Sequence, residues 1–286
     1  KAYVCRIFME MRNEGGAAHR HDEVNLKVVP TLIELLKSGG VFLCTYASAA
    51  LVNLSDGNDA VKMMLMSHNA AGLAIQNVKS KDDELISYTL MLLVNLTKQP
   101  HHRSVIANGG LLPLLYDLLT SSYHQCDTRV SGGRRVSSVS VAGGATKERL
   151  LTQVSIIIGH FSIDEAYREQ FLDGHQYPHT VKCLLYMFHH SAPVGSLRCK
   201  VMFALKQLCK DHGIQKQNVG SHVIKPLVNN LKDEKFEKST EFLFQVVLLL
   251  QMLATHPTNC EIMYDQGLEE ILPRTRLLPA SRRIRE

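Results

Sequence analysis

Histidines, cysteines and short glycine or hydroxyl motifs are the residues here whose types and spacing could do chemistry. The chain carries 14 His and 7 Cys. His101 and His102 are neighbours in the loop-like run KQPHHRSV. Side chains one residue apart do not share a face, so this pair reads as solvated loop histidines rather than two ligands of one ion. His175 and His179 do have the four-residue interval that a helix needs to aim two imidazoles at one metal. Pro178 stands between them, however, and no Glu follows His175 as a zincin helix requires, so no metal site is expected. The seven cysteines are odd in number, scattered, and form no C-x-x-C pair, which indicates buried reduced thiols. GGLLPLL, SGGRR and AGGAT lack the Lys and hydroxyl of a phosphate loop. The N-x-[ST] triplets at Asn53 and Asn95 have the form of glycosylation acceptors, but the thiol pattern indicates a reducing compartment. Arg134, Arg135, Val136 and Ser137 form R-R-x-S, which resembles a basophilic-kinase site, so Ser137 is a candidate for phosphorylation. No nucleophile, acid–base pair or ligand cluster rises above background, and neither catalysis, a small-molecule substrate nor a cofactor is expected.

The bulk properties set bounds on the partner. With 32 basic against 27 acidic residues the formal charge is +5, too balanced to indicate a nucleic-acid surface. The longest apolar run, FLFQVVLLLQMLA, has 13 residues and falls short of the roughly 20 that span a bilayer, so no membrane span is expected. Beginning at Lys rather than Met, the chain is expected to be the trimmed end of a longer polypeptide.

These local motifs sit inside a longer register. ALVNLSDGN and LLVNLTKQP place Asn53 and Asn95 42 residues apart, and IIGHFSIDE, LKQLCKDHG and LLQMLATHP place His160, Gln207 and Met252 at the same point of later copies. The steps are 42, 65, 47 and 45 residues. The long step contains residues 120–147, rich in Ser, Gly and Arg and without an apolar period, which reads as a flexible insertion. Pro30, Pro113, Pro178, Pro226 and Pro273 enter apolar segments in the same register, and proline suits the first turn of a helix. Gly109, Gly174, Gly220 and Gly267 lie 13 to 15 residues beyond each marker, where a helix must stop and turn. NAAGLAIQNV takes the proline helix's place in the one unit without a proline. Apolar spacing of three and four residues predicts helices throughout, and no stretch reads as a strand.

A short helix, a glycine corner, a proline-started helix, a loop and a longer helix ending in x-Asn-Leu-Ser resemble the armadillo repeat. The resemblance covers essentially the whole chain, with two units that match well, three diverged ones and partial units at both ends. It implies an all-α, right-handed α-solenoid in which residues 1–286 form a single armadillo-repeat domain of about five repeats. It further implies that the third helices line a concave groove, with the Asn-type ladder Asn53, Asn95, His160, Gln207 and Met252 facing a partner. Four residues earlier, where import adaptors of this family carry Trp, stand Ala49, Met91, Ile156, Phe203 and Leu248, and the chain contains no Trp. This apolar row beside a fading amide row points to an amphipathic helical segment rather than a basic extended peptide. The same apolar residues could instead pack between neighbouring third helices. The expectation is a non-catalytic protein-interaction scaffold in the cytoplasm, of the kind that cytoskeletal and ciliary assemblies use. A transport or signalling adaptor with transient cargo is the alternative, and an enzyme the least supported class. Neither terminus looks like a polar cap, so flanking protein or a larger complex is expected to cover an exposed repeat face.

Overall fold

In the computed structural model the apolar periods are helices, and no strand occurs among the described residues. The structure describes residues 22–37, 40–127, 144–173, 175–192, 195–232 and 240–271. Contacts divide the chain into two compact units, one of Lys1–Leu118 with Ser140–Ile157, the other of Leu119–Val139 with Ile158–Glu286.

The first unit is built from α1 (Asp22–Lys37), α2 (Val41–Ser55), α3 (Asp59–Ser67), α4 (Ala70–Val78), α5 (Asp83–Thr97), α6 (Pro100–Asn108), the start of α7 (Leu111–Asp127) and the larger part of α8 (Gly144–Phe161). Local chemistry starts several of these. Asn58 accepts from the backbone N–H of Val61 ahead of α3, and Asp82 accepts from that of Leu85 ahead of α5, each satisfying a donor that the first turn leaves open. Pro100 opens α6, where its missing N–H costs nothing. The third helices α2 and α5 pack side by side, with α1 against α2 and α4 against α5. Leu51, Leu90, Leu92, Leu93 and Leu96 are fully buried between them.

The second unit holds the rest of α7 and the end of α8, then α9 (Glu165–Leu172), α10 (Thr180–His190), α11 (Ser196–Cys209), α12 (Gly213–Lys232), α13 (Thr240–Leu253), α14 (Pro257–Asp265) and α15 (Leu268–Ile271). Here α11 packs against α10 and α13, and α12 against α14. Phe161, Phe188 and Phe242 are its largest fully buried side chains.

The three-helix unit expected from the sequence is present as α3–α4–α5, α6–α7–α8 and α9–α10–α11. Three markers fall elsewhere than expected. Pro30 and Pro226 do not start helices; they lie inside α1 and α12, where each removes an amide donor and leaves the carbonyl four residues earlier without its helical partner. In α12 the first and second helices of a repeat are thus one continuous 20-residue helix. Gly220 accordingly is no corner but a buried interior residue of that helix. Gly109 ends α6 with ordinary φ, and the left-handed corner is the next residue, Gly110, at φ 87°. Gly267 does turn the chain, at φ 70°, and in the unit without proline Asn69 takes that role at φ 54°. Pro113 is in the first turn of α7, and Pro178 precedes α10 by two residues. Gly174 and Pro273 lie outside the described residues. So does residue 128–143 of the expected insertion, with Ser137; α7 runs helical to Asp127 and α8 begins at Gly144.

Candidate functional site

In the first unit one marker asparagine ties two neighbouring third helices together. Asn95 on α5 is buried, and its Nδ2 donates to the Val52 carbonyl and to Ser55 Oγ, both at 3.1 Å, at the end of α2. An amide nitrogen has two hydrogens, so both are engaged with the preceding repeat. Its Oδ1 accepts from Lys98 Nζ at 3.1 Å, and the same ammonium reaches Asp56 at 3.3 Å. Asn53 is half-buried. Of the apolar row, Ala49 is buried, whereas Met91 on α5 and Ile156 on α8 are half-buried. Phe42, Tyr46, Ala49 and Asn53 follow intervals of four, three and four residues, one stripe of α2. Phe42 is 60% exposed and meets Tyr46 edge-on at 4.5 Å. Tyr88 repeats Tyr46 at the same register on α5 and is half-buried. That 42-residue tyrosine spacing was readable beside the asparagine spacing, and it extends the stripe toward the start of the helix.

In the second unit His160, Phe203, Gln207, Leu248 and Met252 are all half-buried. Phe203 on α11 lies across Gly159 of α8; a methyl on Gly159 would overlap its ring. The His160 imidazole meets the same ring edge-on at 5.9 Å. Phe244 on α13, one turn before Leu248, is 42% exposed and lengthens the apolar line. Lys200 on α11 pairs with Glu241 on α13. Lys206 places its Nζ 6.0 Å from the Phe203 ring centroid, and burial lowers its pKa.

A second recurring device became visible only in three dimensions. Arg103, Arg168 and Cys260 stand eight residues after Asn95, His160 and Met252, and each donates to the carbonyl two residues after its marker. Arg103 Nε reaches Thr97 O at 2.9 Å, Arg168 Nη1 reaches Ser162 O at 3.4 Å, and Cys260 Sγ reaches Ala254 O at 2.9 Å. One residue earlier, His102 Nδ1 donates to Leu96 O at 3.2 Å and Asn259 Nδ2 to Leu253 O at 3.0 Å. The orphan carbonyls that end α5, α8 and α13 are therefore capped by the helix that follows each. Two arginines at the same offset were the sequence signal for this.

This corrects the reading of the opening histidines. His101 and His102 lie on α6, not in a loop, and only His101 is solvated; His102 is 3% exposed. A carbonyl can only accept, so the His102 proton sits on Nδ1, and Nε2 is buried without a partner. Burial lowers its pKa, with the charges of His101 and Lys62 acting in the same direction. His175 and His179 are both exposed, and no group of three or more His, Cys, Asp or Glu among the described residues could hold a metal ion. Cys44, Cys183, Cys199 and Cys209 are buried free thiols and Cys260 is exposed. Desolvation raises Cys183 to about 11 and Cys209 to about 12, far from the thiolate a nucleophile needs. Among the described residues no helix is long and apolar enough to cross a membrane.

No protein-family description matches the chain. No curated protein matches it either. Solved structures do. A designed armadillo repeat protein, YIII(Dq)4CqI, aligns with a TM-score of 0.64 at 14% identity over 88% of this chain and 93% of its own. A computationally designed armadillo repeat protein for modular peptide recognition aligns at 0.62 and 13%, over 86% and 91%. A third, YIII(Dq.V1)4CPAF in complex with the peptide (KR)4, aligns at 0.60 and 13%, over 88% and 92%. Together with the repeating short helix, corner and long third helix, these likenesses establish that the chain has the all-α fold of armadillo repeat proteins.

Proposed function

We propose that the chain is a non-catalytic protein-binding scaffold, holding a partner segment against the third-helix faces of its units. The observation that carries this reading is the set of half-buried apolar side chains at one register position, Met91 and Ile156 in the first unit and Phe203 and Leu248 in the second. Apolar groups left partly open to water on successive rigid helices gain free energy when a partner covers them. Similar proteins include designed scaffolds for modular peptide recognition and one solved with a peptide, which supports a protein as the ligand. Among the described residues no group of three or more His, Cys, Asp or Glu could hold a metal ion, so no metal centre competes with that reading. An amphipathic helix suits an apolar stripe better than an extended chain does, because it presents side chains every three or four residues. The setting we propose is cytoplasmic, as a fixed part of a larger cytoskeletal or ciliary assembly.

The test replaces Met91 and Leu248 together by Glu and compares companions of tagged wild-type and variant chains by quantitative mass spectrometry from native cells. A partner retained by the wild type should be lost by the variant while the helical circular dichroism signal stays the same. Retention of every companion by a folded variant would move the interface off these faces.

A further inference from the structure

We propose that the α11 face of the second unit takes an acidic amphipathic segment, with an apolar side chain against Phe203 and a carboxylate one helical turn away paired with Lys206. The proposal rests on the third-helix faces being the partner surface and adds the chemistry of the partner.

Three observations converge on it. First, the Phe203 ring is a fixed shelf. Gly159 lets it lie directly on the α8 backbone, and the His160 ring holds its edge. Leu248 and Met252 on α13, which packs beside α11, continue the apolar surface. Second, the cations of α11 are unequal. Arg198 donates to the Ser191 carbonyl at 2.9 Å and lies over the Phe188 ring at 4.9 Å, and Lys200 pairs with Glu241. Lys206 and Lys210 have no carboxylate among the described residues within ion-pairing distance, and the adjacent Asp211 is held by Arg168. Third, Lys206 is half-buried, so its charge is partly withdrawn from water, with the Phe203 ring beside it. A half-desolvated ammonium without a counter-charge costs free energy that an arriving carboxylate recovers. Its depressed pKa has the same origin. A polybasic segment would meet Lys206 and Lys210 with repulsion at this face, whatever its apolar content.

The test pans a phage-displayed random library, with peptides of about sixteen residues, on the 286-residue chain. Selected peptides are then synthesised and titrated by fluorescence anisotropy against the wild type, Lys206→Glu, Lys206→Gln, Lys206→Arg and Phe203→Ala, each checked by circular dichroism. The expected binders carry Asp or Glu within one helical turn of Leu, Ile, Phe or Met. They should lose at least about tenfold in affinity on Lys206→Glu, less on Lys206→Gln, and no more than about threefold on Lys206→Arg. Binders that need Phe203 but lack acidic residues, or that ignore Lys206→Glu and Lys206→Gln, would overturn the charge assignment and leave the apolar face standing. Binders insensitive to Phe203→Ala as well, or a library yielding none, would overturn both this inference and the reading of α11 as a partner surface.

Discussion

Asn95 shows how one residue type at one register position divides between two duties. Its amide protons already tie α5 to the end of α2, so replacing it by Ala leaves the Val52 carbonyl and Ser55 hydroxyl without those bonds in a buried place. Asn95→Ala should lower unfolding stability by about 1 to 3 kcal/mol, read from the urea midpoint. His102 supplies a pH dependence with a definite sign. Its folded pKa lies below the unfolded value near 6.5, so its contribution is complete above that value and is lost as pH falls through the folded one. His189 shifts the same way, chiefly through burial and then through His222, His190 and Arg198. The fall in urea midpoint between about pH 7.5 and about pH 5.5 should therefore be smaller in His102→Gln than in the wild type. An identical fall in both would show that the buried imidazole does not set this response.

At the level of elements, packing overrides propensity at Gly220. In a helix interior alanine is favoured over glycine by about 1 kcal/mol, and on that ground alone Gly220→Ala would stabilise α12. A methyl there would collide with the Asn259 side chain, which bonds Lys216 O at 2.9 Å and Leu253 O at 3.0 Å and cannot simply swing away. Overpacking of this kind costs about 1 to 3 kcal/mol, so the variant should be destabilised on balance, by thermal or urea unfolding. The arginine caps make a matching case. Arg103→Met keeps the apolar stem but removes the donor to Thr97 O, and should cost about 1 to 3 kcal/mol. The same glycine and prolines mark where local reading fell short. Pro30 and Pro226 carry the usual signal for a helix start, yet they sit inside α1 and α12, because packing against neighbouring helices holds one continuous element where the local cue alone would end one.

For the molecule as a whole, the third-helix residues at the two register rows are neutral apart from the titratable His160. Partner affinity should accordingly fall by less than about tenfold when NaCl rises from about 0.05 to about 0.5 M, since a contact with Lys206 is one screened pair among apolar ones. A steeper loss, measured by the same anisotropy titration, would mean a many-charge interface instead. Apolar residues at three- and four-residue intervals determined by themselves that the chain is helical, and the tandem Asn53, Asn95, His160, Gln207 and Met252 marked the last turn of a helix in successive copies. Periodicity is a local property, and each copy reports it independently. Only the tertiary structure decided that Asn95 has both amide protons engaged, that His102 is buried on α6 and that Phe203 rests on Gly159. It likewise decided which lysine of α11 has no carboxylate within ion-pairing distance among the described residues. Each of these depends on which side chains from segments 6 to 44 residues apart arrive at the same point, and chain spacing carries no record of that distance in space.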